Sequence, residues 1–124
     1  MLTKNDNLAI AAEELRKLGP KYVVIKKGAD GSMLVGENEF FMLPGFPTKE
    51  VKDPTGAGDA FAGAFMGYLA SVGKTDAKFM RTAIAYGTVT ASLVIEGFSM
   101  SSIATVGKTV IDARLALLRK MTEF

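Results

Sequence analysis

The first part of the chain shows a helical pattern of apolar positions followed by a strand pattern. The sequence predicts an amphipathic helix with Asp6 as its N-cap and Gly19-Pro20 as its stop, and its apolar stripe consists of Leu8, Ala11, Ala12, Leu15 and Leu18. The β-branched run YVVIK, residues 22–26, is short enough to be a buried strand and is followed by the turn-like GADGS. A helix followed by a strand indicates an α/β layer.

Two extended segments and a proline indicate a hairpin in the next part of the chain. The segments SMLVG (32–36) and EFFML (39–43) flank only Glu37-Asn38, and Pro44 follows the second one. A short turn between two extended runs predicts a β-hairpin that ends at the proline. The piece TKEVK (48–52), predicted to be a further strand, then leads into the sequence DPTGAGDAF, Asp53 to Phe61.

Helical spacing dominates the rest of the chain. It predicts one helix from Phe61 to Val72, a long one from about Asp76 to Ile95, and a last one from about Val106 to Met121. The inward positions of the long helix are Phe79, Met80, Ala83 and Ile84. Three helices are more than so narrow a sheet needs to cover it, so the pattern is typical of one part of a larger domain.

Composition narrows the possible chemistry. The 124 residues are 48% hydrophobic, enough for one domain with a core, and the net charge of +2 is not gathered in runs, so nucleic acid and anionic membranes are not expected partners. The chain has no cysteine and no histidine, so acid–base chemistry must use carboxylates, Lys or Tyr. No signal peptide or spanning segment is readable, and a soluble, cytoplasmic protein is the expectation.

The DPTGAGDAF segment combines an anion site with an acid. If Gly56-Ala57-Gly58 forms the turn into a helix, the backbone N–H groups and the helix dipole favour an anion there. Asp59 in the first turn would repel that anion unless it accepts a proton from a hydroxyl that attacks a phosphorus atom. The other interpretation is that Asp59 only stabilises the helix dipole, and spacing alone does not decide between the two.

The run DPTGAGDAFAGAF closely resembles the carboxy-terminal signature of the ribokinase-like carbohydrate kinases, the PfkB family. VVIKKGADGS resembles the family's strand and loop over the nucleotide phosphates, and IAYGTVTASLVIEGFS lies where the family has its adenine-side helix. The resemblance implies a ribokinase-like three-layer α/β/α (Rossmann-like) fold. It also implies ATP-dependent phosphoryl transfer to a hydroxyl of a sugar or nucleoside, with ATP and Mg2+ as cofactors.

The family's functional residues can be carried over by position. The resemblance makes Asp59 the catalytic base and places the anion hole at Gly56, Ala57 and Gly58. It places nucleotide contacts at Lys26, Lys27, Gly28, Ala29, Asp30, Gly31 and Tyr86. Some members hold a monovalent cation such as K+, and the matching positions here are Asp53, Thr55, Ser92, Ile95, Gly97 and Ser101.

Other interpretations stay open for three of these residues. Lys26 is equally typical of a strand-end side chain in solvent, since members of the family often have Thr there. Asp53 could form an Asx-type turn before Pro54 instead of binding a cation. Aromatic residues such as Tyr86 are more often packed in a core than against a cofactor.

The resemblance covers only one part of a family member. Nothing in the chain matches the family's amino-terminal half with its substrate lid, and no Asn is followed three places on by Glu, as the family's N-x-x-E element requires. We therefore expect residues 1–124 to be the C-terminal nucleotide-binding part of a PfkB-type kinase domain. The alternative function is a non-catalytic nucleotide- or anion-binding fragment, and an open sheet edge predicts self-association or a companion N-terminal fragment.

Overall fold

The computed structural model describes residues 4–27, 31–48, 55–98 and 100–123, and they fall into two compact units. The first unit is Met1–Pro44 and the second is Gly45–Phe124.

The first unit is a helix packed on a three-stranded antiparallel sheet. Helix α1 (Lys4–Arg16) is followed by β1 (Tyr22–Lys26), β2 (Ser32–Gly36) and β3 (Glu39–Leu43), in the sheet order β1-β2-β3. The predicted hairpin is confirmed with its turn: Gly36 pairs with Glu39, and Asn38 takes the left-handed φ of 58° that asparagine tolerates. The strand ends one residue before Pro44, as predicted.

The core of the first unit lies between α1 and one face of the sheet. Ala12, Met33 and Val35 are buried together there, with Val23 and Ile25 packed against them. Because side chains alternate along a strand, these four strand residues share the face that α1 covers. The central strand β2 is buried throughout, whereas the side chains of β1 are only half-buried because β1 is an edge of the sheet. The expectation of a buried strand at residues 22–26 was wrong in this respect.

The second unit consists of three helices in the residues that the structure describes. They are α2 (Ala57–Val72), α3 (Ala77–Ile95) and α4 (Met100–Thr122). Helix α3 is buried on almost all sides in its second half, as expected of a central helix. Gly87 lets α2 approach closely, because a Cβ there would lie 2.8 Å from the ring of Phe61.

Two predicted helix starts were wrong. Helix α1 begins at Lys4, so Asp6 lies inside it instead of capping it, and α4 begins at Met100, six residues before the predicted start. The polar residues in these first turns carry no apolar periodicity, which is why the pattern did not include them. In α4, burial of Ile103 in the core of the second unit provides the tertiary contact. The strand expected at residues 48–52 lies almost wholly outside the described residues.

Candidate functional site

The GADGS turn of the first unit is closed by its own backbone. The Lys27 N–H donates a hydrogen bond to the Gly31 carbonyl over 2.7 Å. Gly31 has a φ of 101°, and a Cβ on it would lie 2.1 Å from the carbonyl oxygen of Leu43. Glycine is therefore required here by the fold itself. Of the predicted nucleotide contacts, Lys26 is exposed at the end of β1 and Lys27 is half-buried, while Gly28, Ala29 and Asp30 lie outside the described residues.

The GAG turn of the second unit begins α2 with a left-handed glycine. Gly56 is the N-cap with φ 85° and ψ −5°, and its carbonyl accepts the first intrahelical hydrogen bond from the Ala60 N–H over 2.9 Å. Gly56 has no side chain with which to cap this helix. Among the described residues, the one atom near a Cβ on Gly56 would be the Val94 Cγ1 atom, at 3.9 Å. The positive end of the α2 dipole therefore lies at an open backbone turn.

The left-handed backbone belongs to Gly56 and not to Gly58. Gly58 is the second residue of α2 and is not among the glycines with positive φ. A side chain at Gly58 would therefore meet no left-handed backbone strain. The conformational argument applies to Gly56.

Asp59 lies in the first turn of α2 and is exposed to solvent. Its neighbours Ala60 and Phe61 are buried, so the first turn has an inner side that packs and an outer side that carries the carboxylate. A carboxylate at this place stabilises the helix dipole whatever else it does. Its exposure also leaves it accessible to a substrate hydroxyl.

The first turn of α2 is held against the last turn of α3. Ala60, Leu93, Val94 and Ile103 form a buried cluster, and Ala57, Val110 and Ile111 pack around it. Three helices thus meet directly beneath the GAG turn. This cluster fixes the position of the helix terminus without using any polar side chain.

Helix α3 ends beside that cluster in a glycine turn. The Phe98 N–H donates to the Leu93 carbonyl over 3.0 Å and the Gly97 N–H to the Val94 carbonyl over 2.9 Å, and Gly97 has a φ of 100°. This pair of bonds around a left-handed glycine is the Schellman motif. It supplies hydrogen-bond donors to two of the backbone carbonyls that have no partner within the helix at its C-terminal end.

An arginine from α4 binds to side chains at the same end of α3. The Arg114 guanidinium makes two hydrogen bonds to the Glu96 carboxylate, of 2.7 and 2.9 Å, and a third of 2.9 Å to the Ser92 hydroxyl. The Phe46 ring lies against the guanidinium with 4.9 Å between the Cζ atom and the ring centroid. The role of Arg114 could not be predicted from the sequence, because a pair of opposite charges 18 residues apart on different helices has no periodic signal.

The six residues matched to a cation site are only partly described. Asp53 lies outside the described residues, as does the side chain of Ser101 in the first turn of α4. Ser92 is buried, and its hydroxyl donates to the Val89 carbonyl over 2.5 Å while it accepts from Arg114. Thr55 is exposed two residues before α2, and Ile95 and Gly97 lie at the end of α3. The structure therefore places a fixed guanidinium beside one of these positions.

Tyr86 lies on α3 and packs against α2. Its ring stacks on that of Tyr68 in α2, with centroids 4.9 Å apart and 20° between the planes. Burial raises the pKa of the Tyr86 hydroxyl, and the negative charge of Asp112 adds to the effect. This packing matches the core interpretation of Tyr86, and the adenine contact stays a prediction.

The described residues contain neither a metal-binding cluster of side chains nor a membrane-spanning helix. No group of three or more His, Cys, Asp or Glu side chains in that part of the chain could hold a metal ion. None of the described helices is both long and apolar enough to cross a membrane.

One known protein family matches most of the chain. The sequence profile of the family described as pfkB family carbohydrate kinase matches residues 2–112. The chain is 45% identical over 68 residues to a cytidine kinase of Thermococcus kodakarensis, which is 53% of this chain and 24% of that protein. It spans about a quarter of the length of the curated relatives it matches, 24% and 26% of the first two.

Solved structures show a similar arrangement. A ribokinase from Thermotoga maritima superposes with a TM-score of 0.70 at 35% identity, covering 86% of this chain and 34% of that one. An aminoimidazole riboside kinase from Salmonella enterica, complexed with aminoimidazole riboside and an ATP analog, superposes with a TM-score of 0.67 at 26% identity, covering 93% and 36%. The predicted ribokinase-like α/β fold class is confirmed by these likenesses.

Proposed function

Because the chain belongs to the pfkB family of carbohydrate kinases, we propose that it supplies the nucleotide site, anion hole and catalytic base of an ATP-dependent kinase. The acceptor in this proposal is a hydroxyl group of a sugar or a nucleoside. The range of similar proteins, which includes a cytidine kinase and a ribokinase, supports this acceptor class without narrowing it further.

The start of α2 is the observation that carries the proposal. Gly56 opens the helix without a side chain, so the transferred phosphoryl group could approach the backbone of residues 56–58 closely. Asp59 stands exposed in the same turn. An anion hole and a proton acceptor in the same helical turn suit phosphoryl transfer to an alcohol.

In the proposed reaction, the Asp59 carboxylate takes the proton of the acceptor hydroxyl as its oxygen attacks the γ-phosphorus of ATP. The bond between the γ-phosphorus and the β–γ bridging oxygen breaks, and ADP leaves with that oxygen. The backbone of the GAG turn stabilises the negative charge on the transferred group. Mg2+ would enter with the nucleotide phosphates and neutralise part of their charge, as it usually does with few protein ligands.

The GADGS turn of the first unit supports the nucleotide half of the proposal. The hydrogen bond between Lys27 and Gly31 closes the ends of this turn, and Lys26 and Lys27 place two cationic side chains at its start. In the proposal these groups contact the ATP phosphates, together with Gly28, Ala29, Asp30 and Gly31. Residues 1–124 would then be the nucleotide-binding part of a larger kinase domain.

One experiment separates this proposal from the non-catalytic alternative. The purified chain is titrated with ATP by calorimetry, and ADP formation is followed with ATP, Mg2+ and a panel that includes ribose, fructose and cytidine. ADP formation that depends on one acceptor supports the kinase. ATP binding without turnover supports the fragment that needs a partner chain, and absence of ATP binding contradicts both.

The partner-chain alternative has its own observation. The chain spans about a quarter of its relatives' length, and β1 and β3 are the two edges of the described sheet. Edge strands pair readily with another strand, so we propose self-association or a companion fragment at such an edge. Sedimentation velocity at low micromolar concentration tests this, and a stable monomer across that range would contradict it.

A further inference from the structure

Two negative features lie beside the proposed anion site. The last turn of α3 packs on the first turn of α2 through Leu93 and Val94, and the carboxyl end of a helix carries roughly half a negative charge. Glu96, the C-cap of α3, adds a full carboxylate. Both would repel a phosphate at the start of α2 unless a cation neutralised them.

Arg114 is placed to offset most of this negative charge. Its guanidinium lies at the end of α3, where a cation interacts favourably with the helix dipole, and it binds both oxygens of the Glu96 carboxylate. The two side chains are only 19% and 23% exposed, so solvent screens this pair less than a surface pair. Stacking on Phe46 and the bond to Ser92 hold the guanidinium in one orientation.

A monovalent cation would compete with this guanidinium at Ser92. Ser92 is one of the positions matched to a cation site, yet its buried hydroxyl already donates to the Val89 carbonyl and accepts a hydrogen bond from Arg114. A cation coordinated by this hydroxyl would have to share it with the Arg114 contact. The chain therefore carries a guanidinium beside one of the positions where the resemblance implied K+.

Resting on the proposed function, we propose that Arg114 is a positioning residue whose guanidinium replaces the monovalent cation beside α3, so that nucleotide binding by this chain is independent of K+. Arg114 acts through Glu96 and the α3 terminus and does not touch the nucleotide.

The test measures ATP affinity by calorimetry in KCl and in tetramethylammonium chloride at equal ionic strength. The wild-type dissociation constant should change by less than twofold between the salts, about the limit of a non-specific effect. In tetramethylammonium chloride Arg114→Met should weaken binding by about tenfold, the upper range of a partly buried charge–dipole interaction, and KCl should restore part of the loss. Arg114→Lys should lie closer to the wild type.

Two further variants distinguish charge from simple loss of packing. Adding Glu96→Gln to Arg114→Met should recover part of the affinity, because the uncompensated carboxylate is gone. Arg16→Met removes the guanidinium of a similar pair, Arg16–Glu13, in the first unit and should leave ATP affinity unchanged. Wild-type binding that weakens more than about fivefold without K+, or Arg114→Met that binds as tightly as the wild type, would overturn the proposal.

Thermal unfolding separates this proposal from the proposed function. If the wild type binds no ATP, the proposed function fails, while the unfolding midpoints in the two salts still report on the charge. Equal wild-type midpoints, with an Arg114→Met midpoint that is higher in K+ than in tetramethylammonium, support the cation replacement. A K+-specific rise in the wild type, or an Arg114→Met midpoint that does not respond to K+, contradicts it.

Discussion

The two glycine turns of this chain use the same residue type for different physical reasons. In the GADGS turn, the space where a Gly31 side chain would lie is filled by the chain itself, with the Leu43 carbonyl oxygen 2.1 Å from the Cβ position. In the GAG turn, the space beside Gly56 is open as far as the described residues go, and their nearest atom lies at 3.9 Å. Gly31 permits a close contact within the fold, whereas Gly56 leaves room for a bound group.

Both turns also need glycine for their backbone conformation, so a positive φ by itself does not mark a site. Gly31, Gly56 and Gly73 all have left-handed φ values. Only at Gly56 does the left-handed residue coincide with an uncapped helix start, within the described residues, and an exposed acid one turn on. Open space and local charge together distinguish a candidate site from a structural turn.

The largest expected effect is on folding, at Gly31. Gly31→Ala should destabilise the protein by about 3 kcal/mol or more, because the methyl group meets backbone atoms and the left-handed conformation adds strain. Chemical denaturation measures the loss. Gly63→Ala, where a Cβ meets no atom within 4 Å in α2, is the matched control and should be neutral or slightly stabilising. Equal effects at the two positions would show that the GADGS turn is not constrained as described.

The next effect is on catalysis, at Asp59. In any preparation that shows turnover, Asp59→Asn should lower phosphoryl transfer by roughly a hundredfold or more while ATP affinity stays near its original value, because the amide cannot accept the proton. Asp76→Asn changes another exposed carboxylate at a helix start and should have no effect on turnover. Normal turnover of the Asp59→Asn variant would show that this carboxylate only stabilises the helix dipole.

A smaller effect on ATP binding is expected at Gly56. Gly56→Ala and Gly73→Ala replace the left-handed glycines at the two ends of α2, and each should cost about 1–2 kcal/mol of stability. Only Gly56→Ala should also weaken ATP binding, by about tenfold, because its methyl group occupies the open space at the anion hole. Calorimetry with ATP on both variants gives the answer. Equal ATP affinities of the Gly56→Ala and Gly73→Ala variants would contradict the proposed anion hole.

The smallest effect concerns Tyr86. Tyr86→Phe keeps the stack on Tyr68 and should change ATP affinity by less than about twofold. Because the folded-state pKa of Tyr86 lies above its usual value of 10.0, the folded state holds this proton longer, and wild-type stability should fall as the pH rises above that value. Tyr86→Phe should reduce this loss in unfolding experiments between neutral and alkaline pH. A large loss of ATP affinity at neutral pH would instead place the hydroxyl at the nucleotide.

Much of the local structure could be predicted from the sequence. The strand at 22–26, the hairpin over 32–43 and the start of α3 next to Asp76 follow from a β-branched run, turn residues and helical spacing, which act over a few neighbouring residues. The first turns of α1 and α4 could not be predicted in this way. Their residues are mostly polar, and in α4 the burial of Ile103 against Ala60 depends on a different helix.

The sequence by itself determined the elements, the two glycine turns and the chemistry available at Asp59, because each depends on residue type and short spacing. Only the tertiary structure decided which glycine faces open space, and that Arg114 neutralises Glu96 beside the start of α2. Those facts arise where α2, α3 and α4 meet, and packing between distant residues leaves no periodic trace along the chain. The electrostatics of the candidate site therefore became visible only in three dimensions.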